Sequence, residues 1–309
     1  MPRIAVIIPA YNAAPYLPLA LNSLLRQSYR DWEAVVVDDG STDGTAALMQ
    51  GRDWGPKIRY LFQANRGAAA ARNTGIQASD SDLIALLDAD DIFLEPRLER
   101  GAAVLEADRG AGLVHANIAM IGSSGEFLQS RKFPEKYLSG RIARHIYRRR
   151  ARIAPSTVLF RRACVERAGL FDETLRVSED RDLWFRIARH YRFVYLPEVL
   201  AYYRRLPTSL TGKIDRVVEY QLAFIGKHRE SGVRGALDFH LAYGSICREM
   251  GDALFNARDR RAALGWYGKA LAHQPNLKNL YMTLRGALKL AASGAGEEHA
   301  HGERNHSDV

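Results

Sequence analysis

The stretch VVVDDGSTDGT, residues 35–45, decides how this chain folds. Three consecutive valines are stiff at χ1 and favour an extended, buried strand. The apolar run ends on Asp38 and Asp39, and Gly40 follows, where the chain turns through a backbone angle that other residues avoid. Asp43 then stands near the start of the next helical pattern, over 45–49. A plain turn accounts for Gly40, Thr42 and Asp43. It does not account for two adjacent carboxylates at a strand end, whose repulsion has to be offset by a ligand, hydrogen bonds or a cation.

The same alternation recurs on either side. Short apolar or β-branched runs over 4–8, 34–37, 58–62, 83–87 and 113–119 alternate with helical periodicity over 17–25, 45–49, 68–77 and 96–107. This order predicts an α/β fold, a mixed, mostly parallel sheet flanked by helices. Ligands of such sheets sit at the carboxyl ends of the strands. Three of those ends are chemically marked: Pro9-Ala10-Tyr11-Asn12, Asp38-Asp39-Gly40-Ser41 and Asp88-Ala89-Asp90-Asp91. In ALLDADDIF, residues 85–93, an apolar strand empties directly into three carboxylates. Hard oxygen ligands suit magnesium or manganese, and a magnesium site typically uses one or two carboxylates plus substrate phosphates. Asp90 fits that description. Taken alone, an acidic loop capping the helix near Pro96 explains the run as well.

Between 131 and 152 lies a basic, poorly periodic stretch with Arg148, Arg149 and Arg150 in a row, read as a loop or an exposed helix face. A helix over 162–168, a turn at 169–172, a helix over 179–190 and an edge strand over 193–196 follow. Ser178 reads as the N-cap of the third of these, with Leu183, Trp184, Ile187 and Ala188 as its buried face. Asp180 sits in the first turn, where the helix dipole and Arg181 are expected to keep it ionised. Asp182 pairs with Arg186 at i, i+4 spacing. Glu179 and Asp180 could equally do no more than stabilise the helix start. Beyond 210 the strand signals stop, and helical patterns run over 214–292 with a boundary near Thr211. Ala262, Ala263, Trp266, Tyr267, Ala270 and Leu271 share one stripe. Residues 243–275 resemble one tetratricopeptide hairpin, without a second copy at the required period. Residues 293–309, rich in Gly, Glu and His, read as a disordered tail.

Composition narrows the function classes. At 309 residues and 47% hydrophobic content the chain can bury a full core. Cys164 and Cys247 are its two cysteines, which suggests neither a disulfide framework nor a structural zinc and fits a reducing cytosol. The opening MPRIAVIIPAYN reads as a buried strand rather than a signal peptide, and charges interrupt the best apolar window, so no spanning helix is expected. A net charge of +9 attracts polyanions. Nucleic acid is not the expected partner, because no recognised module appears and the arginines are not interleaved with aromatics. Peripheral contact with the inner face of a membrane is consistent with the basic run and with the amphipathic segment over 277–290. A dehydrogenase is excluded, since Pro9-Ala10-Tyr11-Asn12 replaces the Gly-rich fingerprint. A sugar-1-phosphate nucleotidyltransferase lacks its early phosphate loop here, and a non-catalytic nucleotide-sugar-binding scaffold would be expected to have lost Asp90 or Asp180.

The motifs IIPAYN (7–12), VVVDDGSTDGT (35–45), NRGAAAARNTG (65–75) and LDADD (87–91), in this order, resemble the family 2 glycosyltransferases. VSEDRDLWFRIA (177–188) and YYRRLPTSLT (202–211) are similar to that family's later motifs, so the resemblance reaches residue 210. It implies the nucleotide-diphospho-sugar transferase fold of GT-A type and a divalent metal, Mn or Mg. It also implies a nucleotide-sugar donor, a UDP-sugar, and inverting transfer to an acceptor hydroxyl. The acceptor would be a carbohydrate, a lipid-linked group or a protein, in cell-surface polysaccharide, glycolipid or glycoprotein assembly. By the same resemblance, residues 1–210 form the catalytic domain, with 1–119 as nucleotide-binding half and 120–210 as acceptor half, and 211–292 form a helical extension. Pro9 and Tyr11 would belong to the donor-binding site, Tyr11 lying against the base, and Asp39 would hydrogen-bond it. Arg72 would approach the base or diphosphate, Asp88 the ribose or sugar, and Asp90 the metal. Asp180 would be the catalytic base. The family commonly carries a histidine near Tyr203-Arg204-Arg205-Leu206; its absence here leaves Arg204 or Arg205 to contact the diphosphate.

Overall fold

A computed structural model describes residues 3–130, 134–206, 214–229 and 235–302. The chain divides into two compact units, residues 1–209 and 210–309. In the first, β1 (Ile4–Ala10), β2 (Trp32–Asp38), β3 (Ile58–Phe62) and β4 (Leu83–Leu86) alternate with α1 (Leu17–Leu25), α2 (Thr45–Gln50) and α3 (Ala68–Gln77). These four strands are parallel in the order β3-β2-β1-β4. They read as continuous apolar runs because both faces are covered. Ile4, Val6, Ile8, Ala34 and Val36 face Leu17, Ala20, Leu21 and Leu24 of α1. On the opposite face α3 lies close to the sheet: a Cβ at Gly75 would stand 2.4 Å from Cγ2 of Ile7, so only glycine fits there. Each fully buried Leu, Ile or Val adds roughly 1.5–3 kcal/mol.

The sheet continues through β5 (Ile92–Phe93), β6 (Ala111–Ile121), β7 (Phe127–Ser130), β8 (Val158–Arg161) and β9 (Arg192–Arg204). Its full order is β3-β2-β1-β4-β8-β6-β9-β5, with β7 paired to β6. The helices of this half are α4 (Arg97–Ala107), α5 (Ala143–Tyr147), α6 (Arg162–Ala168) and α7 (Glu179–Ala188). β8, absent from the sequence reading, enters antiparallel between β4 and β6. The sheet is therefore mixed, parallel in its first half. The segment expected as an edge strand over 193–196 is the first part of β9, thirteen residues long; it pairs there with β6, and β5 joins the other side only at Ala201 and Tyr202. Pro197 and Glu198 break its apolar pattern, and the β6 pairing shifts register there.

Two further expectations change. Ser178 occupies the cap position of α7 in the left-handed region (φ 68°), and its hydroxyl makes no capping bond. The arginine run is not an open cationic face: Arg149 is buried at φ 61° and Arg148 half-buried, while Arg150 and Arg152 are exposed. Residues 131–133 and 207–213, which carry the ends of two of the stretches read above, lie outside the described residues.

The second unit is helical: α8 (Ile214–Lys227), α9 (Gly235–Asn256), α10 (Arg260–His273) and α11 (Leu277–Gly302). Asp259 caps α10 by accepting from the Ala262 N–H at 3.0 Å. Tyr267 is buried and donates to Asp252 of α9 at 3.0 Å, so α9 and α10 form one tied hairpin. α11 continues through Gly302, into the stretch expected to lack structure. The remainder of that stretch, 303–309, lies outside the described residues.

Candidate active site at the strand ends

The crevice begins with a missing donor. Ile7 C=O accepts from Leu87 N–H on the β4 side, and Ala10 C=O accepts from Asp39 N–H on the β2 side. Alternation therefore points the nitrogen of Pro9 toward β4, where it has no hydrogen to give. Pairing of β1 with β4 stops at Ile7, and the two strands part at the point where the sheet order reverses. Tyr11 stands just past this opening, 54% exposed.

The β2 end is held by its own hydrogen bonds. Asp38 accepts from Ser41 N–H at 2.8 Å and from the Tyr60 hydroxyl at 2.8 Å. Asp39 accepts from Gln63 Nε2 at 2.7 Å, Arg66 N–H at 2.9 Å and Gly67 N–H at 2.7 Å. The repulsion between these neighbours is thus offset inside the protein. Gly40 turns at φ 76°, and a Cβ there would meet the Asn65 backbone nitrogen at 2.8 Å. Asn12 and Ser41 bind the β1 loop to the same turn, Asn12 N–H donating to Ser41 Oγ at 2.9 Å.

The β4 end is different. Asp91 is fully buried, accepting from Ser156 Oγ at 2.5 Å and from Arg204 N–H at 2.9 Å. Ser156 also accepts from Asp88 N–H at 3.1 Å, so one hydroxyl fixes both ends of the turn. Burial first, then Asp88 and Asp90, raise Asp91 well above the usual carboxylate range. It is a strut of the turn rather than a third open ligand. Asp90 is half-buried and pushed up to about 6, by burial first and Asp88 second.

Arg72 closes the cluster. Its guanidinium donates to Asp88 at 2.8 Å and to Glu179 at 2.7 Å, joining the β4 end to the start of α7 while lying 4% exposed. The guanidinium is thus engaged by two carboxylates from distant parts of the chain. Its neighbour Asn73 exchanges hydrogen bonds with the Phe171 backbone and donates to Glu173, and Glu173 also pairs with Arg66 at 2.6 Å. The loop before α7 is thereby stitched to α3.

Asp180 comes next along α7, accepting from Arg181 N–H at 2.6 Å. Burial raises it, Arg181 and Arg72 oppose that, and Asp88 reinforces it; the net shift is upward. Burial thus outweighs the helix end and Arg181, contrary to the expected stabilisation of the charge, and a raised carboxylate is the better proton acceptor near neutral pH. Asp182 is fully buried and pairs with Arg186 at 2.8 Å. Arg204 is 2% exposed, donates to the backbone carbonyls of Asp90, Gly122 and Ser123, and lies 5.0 Å over the Tyr16 ring. Its Nε and Nη1 donors fix the backbone round Asp90.

Among the described residues no group of three or more His, Cys, Asp or Glu is arranged to hold a metal. A metal that draws part of its shell from donor phosphates needs only one or two carboxylates. Asp90 beside Asp88, charge-crowded and partly buried, fits that requirement. The groups that sequence reasoning missed are Tyr60, Gln63, Ser156 and the pairing role of Glu179, whose partners lie 22 to 107 residues away.

Residues 5–169 match the family described as glycosyl transferase family 2. The chain is 29% identical over 223 residues, 71% of its length and 70% of the relative's, to an uncharacterized glycosyltransferase of Rickettsia prowazekii. It is 30% identical over 262 residues, 81% of its length and 73% of the relative's, to the glycosyltransferase EpsJ of Bacillus subtilis. Among solved structures it is similar to S. aureus TarS 1–349 in complex with UDP (TM-score 0.63, 20% identity, covering 88% of this chain and 81% of that one). It is also similar to the mannosyltransferase PcManGT from Pyrobaculum calidifontis in complex with GDP-Man and Mn2+ (TM-score 0.64, 21% identity, 93% and 80%). At these identities the two structures speak for the fold. The matched span covers more than half of the sequence and holds Asp39, Arg72, Asp88 and Asp90, and the chain belongs to glycosyl transferase family 2.

Proposed function

We propose that residues 1–210 are a catalytic domain that moves a sugar from a uridine diphosphate donor to an acceptor hydroxyl, inverting the anomeric carbon. The observation that carries this reading is the Arg72 bridge between Asp88 and Glu179. It draws a strand-end carboxylate cluster against the helix start that bears Asp180. Asp180 takes the proton of the acceptor hydroxyl as the oxygen attacks, a role its raised proton affinity suits. Tyr11, exposed past the Pro9 opening, stacks on the base. Asp39 has taken three N–H donors, which leaves one lone pair on Oδ2 for a base N–H, and it shapes the pocket chiefly by holding the 63–67 loop. Asp88 meets the ribose or sugar, while Arg72 and Arg204 act as positioning residues. A divalent ion, manganese or magnesium, would be held by Asp90, and when bound it supplies the charge that neutralises the leaving diphosphate. TarS with UDP supports the choice of uridine, and PcManGT with Mn2+ supports the choice of metal. Residues 211–292 form an extension to this domain, and the acceptor is a hydroxyl of a carbohydrate, lipid-linked group or protein.

The test is a thermal-shift measurement with nucleotide diphosphates, with and without manganese. A ligand that binds the folded state raises the melting point, by about 2.7 kcal/mol of stability at a hundred times its dissociation constant. UDP is expected to raise the Tm in a manganese-dependent manner, and Asp90→Ala to abolish the rise. An equal rise without metal would remove Asp90 from the metal role.

A further inference from the structure

Helix α11 carries an apolar stripe on its outer face. Leu277, Leu280, Tyr281, Leu284 and Leu288 recur at i, i+3, i+4, i+7 and i+11, a spacing that lines one side of three helical turns. All five are exposed, Leu277 by 84% and Leu288 by 72%. Asn279 and Gly286, half a turn away, are buried. Three cations border the stripe on one flank: Lys278, Arg285 and Lys289, all exposed. Residues 277–290 contain no Asp or Glu. The stripe therefore combines about three turns of Leu and Tyr with an all-cationic border, on a chain of net charge +9.

We propose that this face of α11 binds the surface of an anionic lipid bilayer, with the stripe sunk at the headgroup boundary and the flanking cations against lipid phosphates. The chemistry of both parts is met by one occupant. Leu side chains gain by leaving water, tyrosine suits a surface with a dry and a wet side, and the cations find opposite charge. A second copy docked stripe to stripe satisfies the first part alone, since neither copy offers a carboxylate from this segment to the other's cations. Among the described residues no helix is long and apolar enough to cross a membrane, so the contact lies along the surface. It uses α11 and not the arginine run at 148–152, part of which is buried. If the transfer reading above holds, this contact brings the enzyme to lipid-linked acceptors.

The full chain is sedimented with vesicles of phosphatidylcholine alone or of equal parts phosphatidylcholine and phosphatidylglycerol, at low and high salt. Binding to the anionic vesicles is expected, weakening as salt rises. Leu284→Glu with Leu288→Glu should weaken it by at least about tenfold, and Lys278→Gln by about fivefold. All three positions are exposed, and unchanged circular dichroism and Tm verify that the variants fold. Absence of binding at low salt, or equal binding by the Leu284→Glu, Leu288→Glu variant, overturns the proposal. A concentration-dependent dimer in analytical ultracentrifugation that this variant abolishes overturns it too, in favour of a second copy. Preferential capture of polyglutamate over vesicles overturns it in favour of an acidic protein partner. Vesicle binding is read without donor or acceptor, so its failure leaves the transfer reaction untouched, and a chain inactive in transfer can still pass.

Discussion

Two acidic clusters lie at strand ends on either side of β1 in one sheet, and they are built in opposite ways. At the end of β2, Asp38 and Asp39 receive five hydrogen bonds from the protein itself, two and three respectively. At the end of β4 and the start of α7, Asp90, Glu179 and Asp180 are crowded, and each is raised first by burial. A carboxylate pair that the protein's own donors satisfy is architecture. A carboxylate group left short of positive charge is a place where chemistry or a ligand completes the balance. On the proposed reading, the difference separates residues that chiefly shape the pocket from residues that act in it.

The largest effect expected from this contrast is on turnover. Asp180→Asn keeps the size of the side chain and removes the proton acceptor, so donor binding should persist while kcat falls roughly 100- to 10,000-fold. Steady-state kinetics alongside a UDP thermal shift measures both. Near-normal turnover would place Asp180 with the architectural group, and loss of donor binding would make it a binding residue.

Stability should report the opposite ranking. Asp38 is fully buried, and Asp38→Ala strands the Ser41 N–H and the Tyr60 hydroxyl, at a cost of about 2–4 kcal/mol. Asp90→Asn removes a crowded charge and should leave the metal-free Tm unchanged or higher. Denaturant melts of both variants check this. If Asp90→Asn destabilises as much as Asp38→Ala, the two clusters are not different in kind.

How much of this was legible in the sequence follows from how far each interaction reaches. α1 and α3 fall on the residues their periodicity marks, because local spacing sets them. β8, four residues long and hidden behind Pro155, Ser156 and Thr157, has too little pattern to be read, and the apolar pattern of β9 is interrupted at Pro197. The carboxylates themselves stood out, since nothing local requires acids at a strand end. Their state did not. Whether Asp39 is satisfied depends on Gln63, Arg66 and Gly67, and whether Arg72 is free depends on Glu179, 107 residues away. Arg204 shows the same limit: its motif position suggested a phosphate ligand, and only the fold reveals carbonyls taking its donors.

The smallest predicted effect is a pH slope. Glu179 is pushed up to about 6, by burial first, with Arg72 opposing and Asp180 reinforcing. Between its ordinary 4.5 and about 6 the folded chain therefore holds a proton that the unfolded chain has released. Folding stability then falls as pH rises through this window, by up to about 2 kcal/mol at 1.4 kcal/mol per unit, and returns on acidification below it. Glu179→Gln cannot titrate, so in that variant this part of the slope should vanish whatever the absolute stability, and urea melts at pH 4.5, 5.3 and 6 would show it. A slope unchanged by the substitution would mean that Arg72 fully neutralises Glu179. The α7 cluster would then be satisfied internally, like the β2 pair.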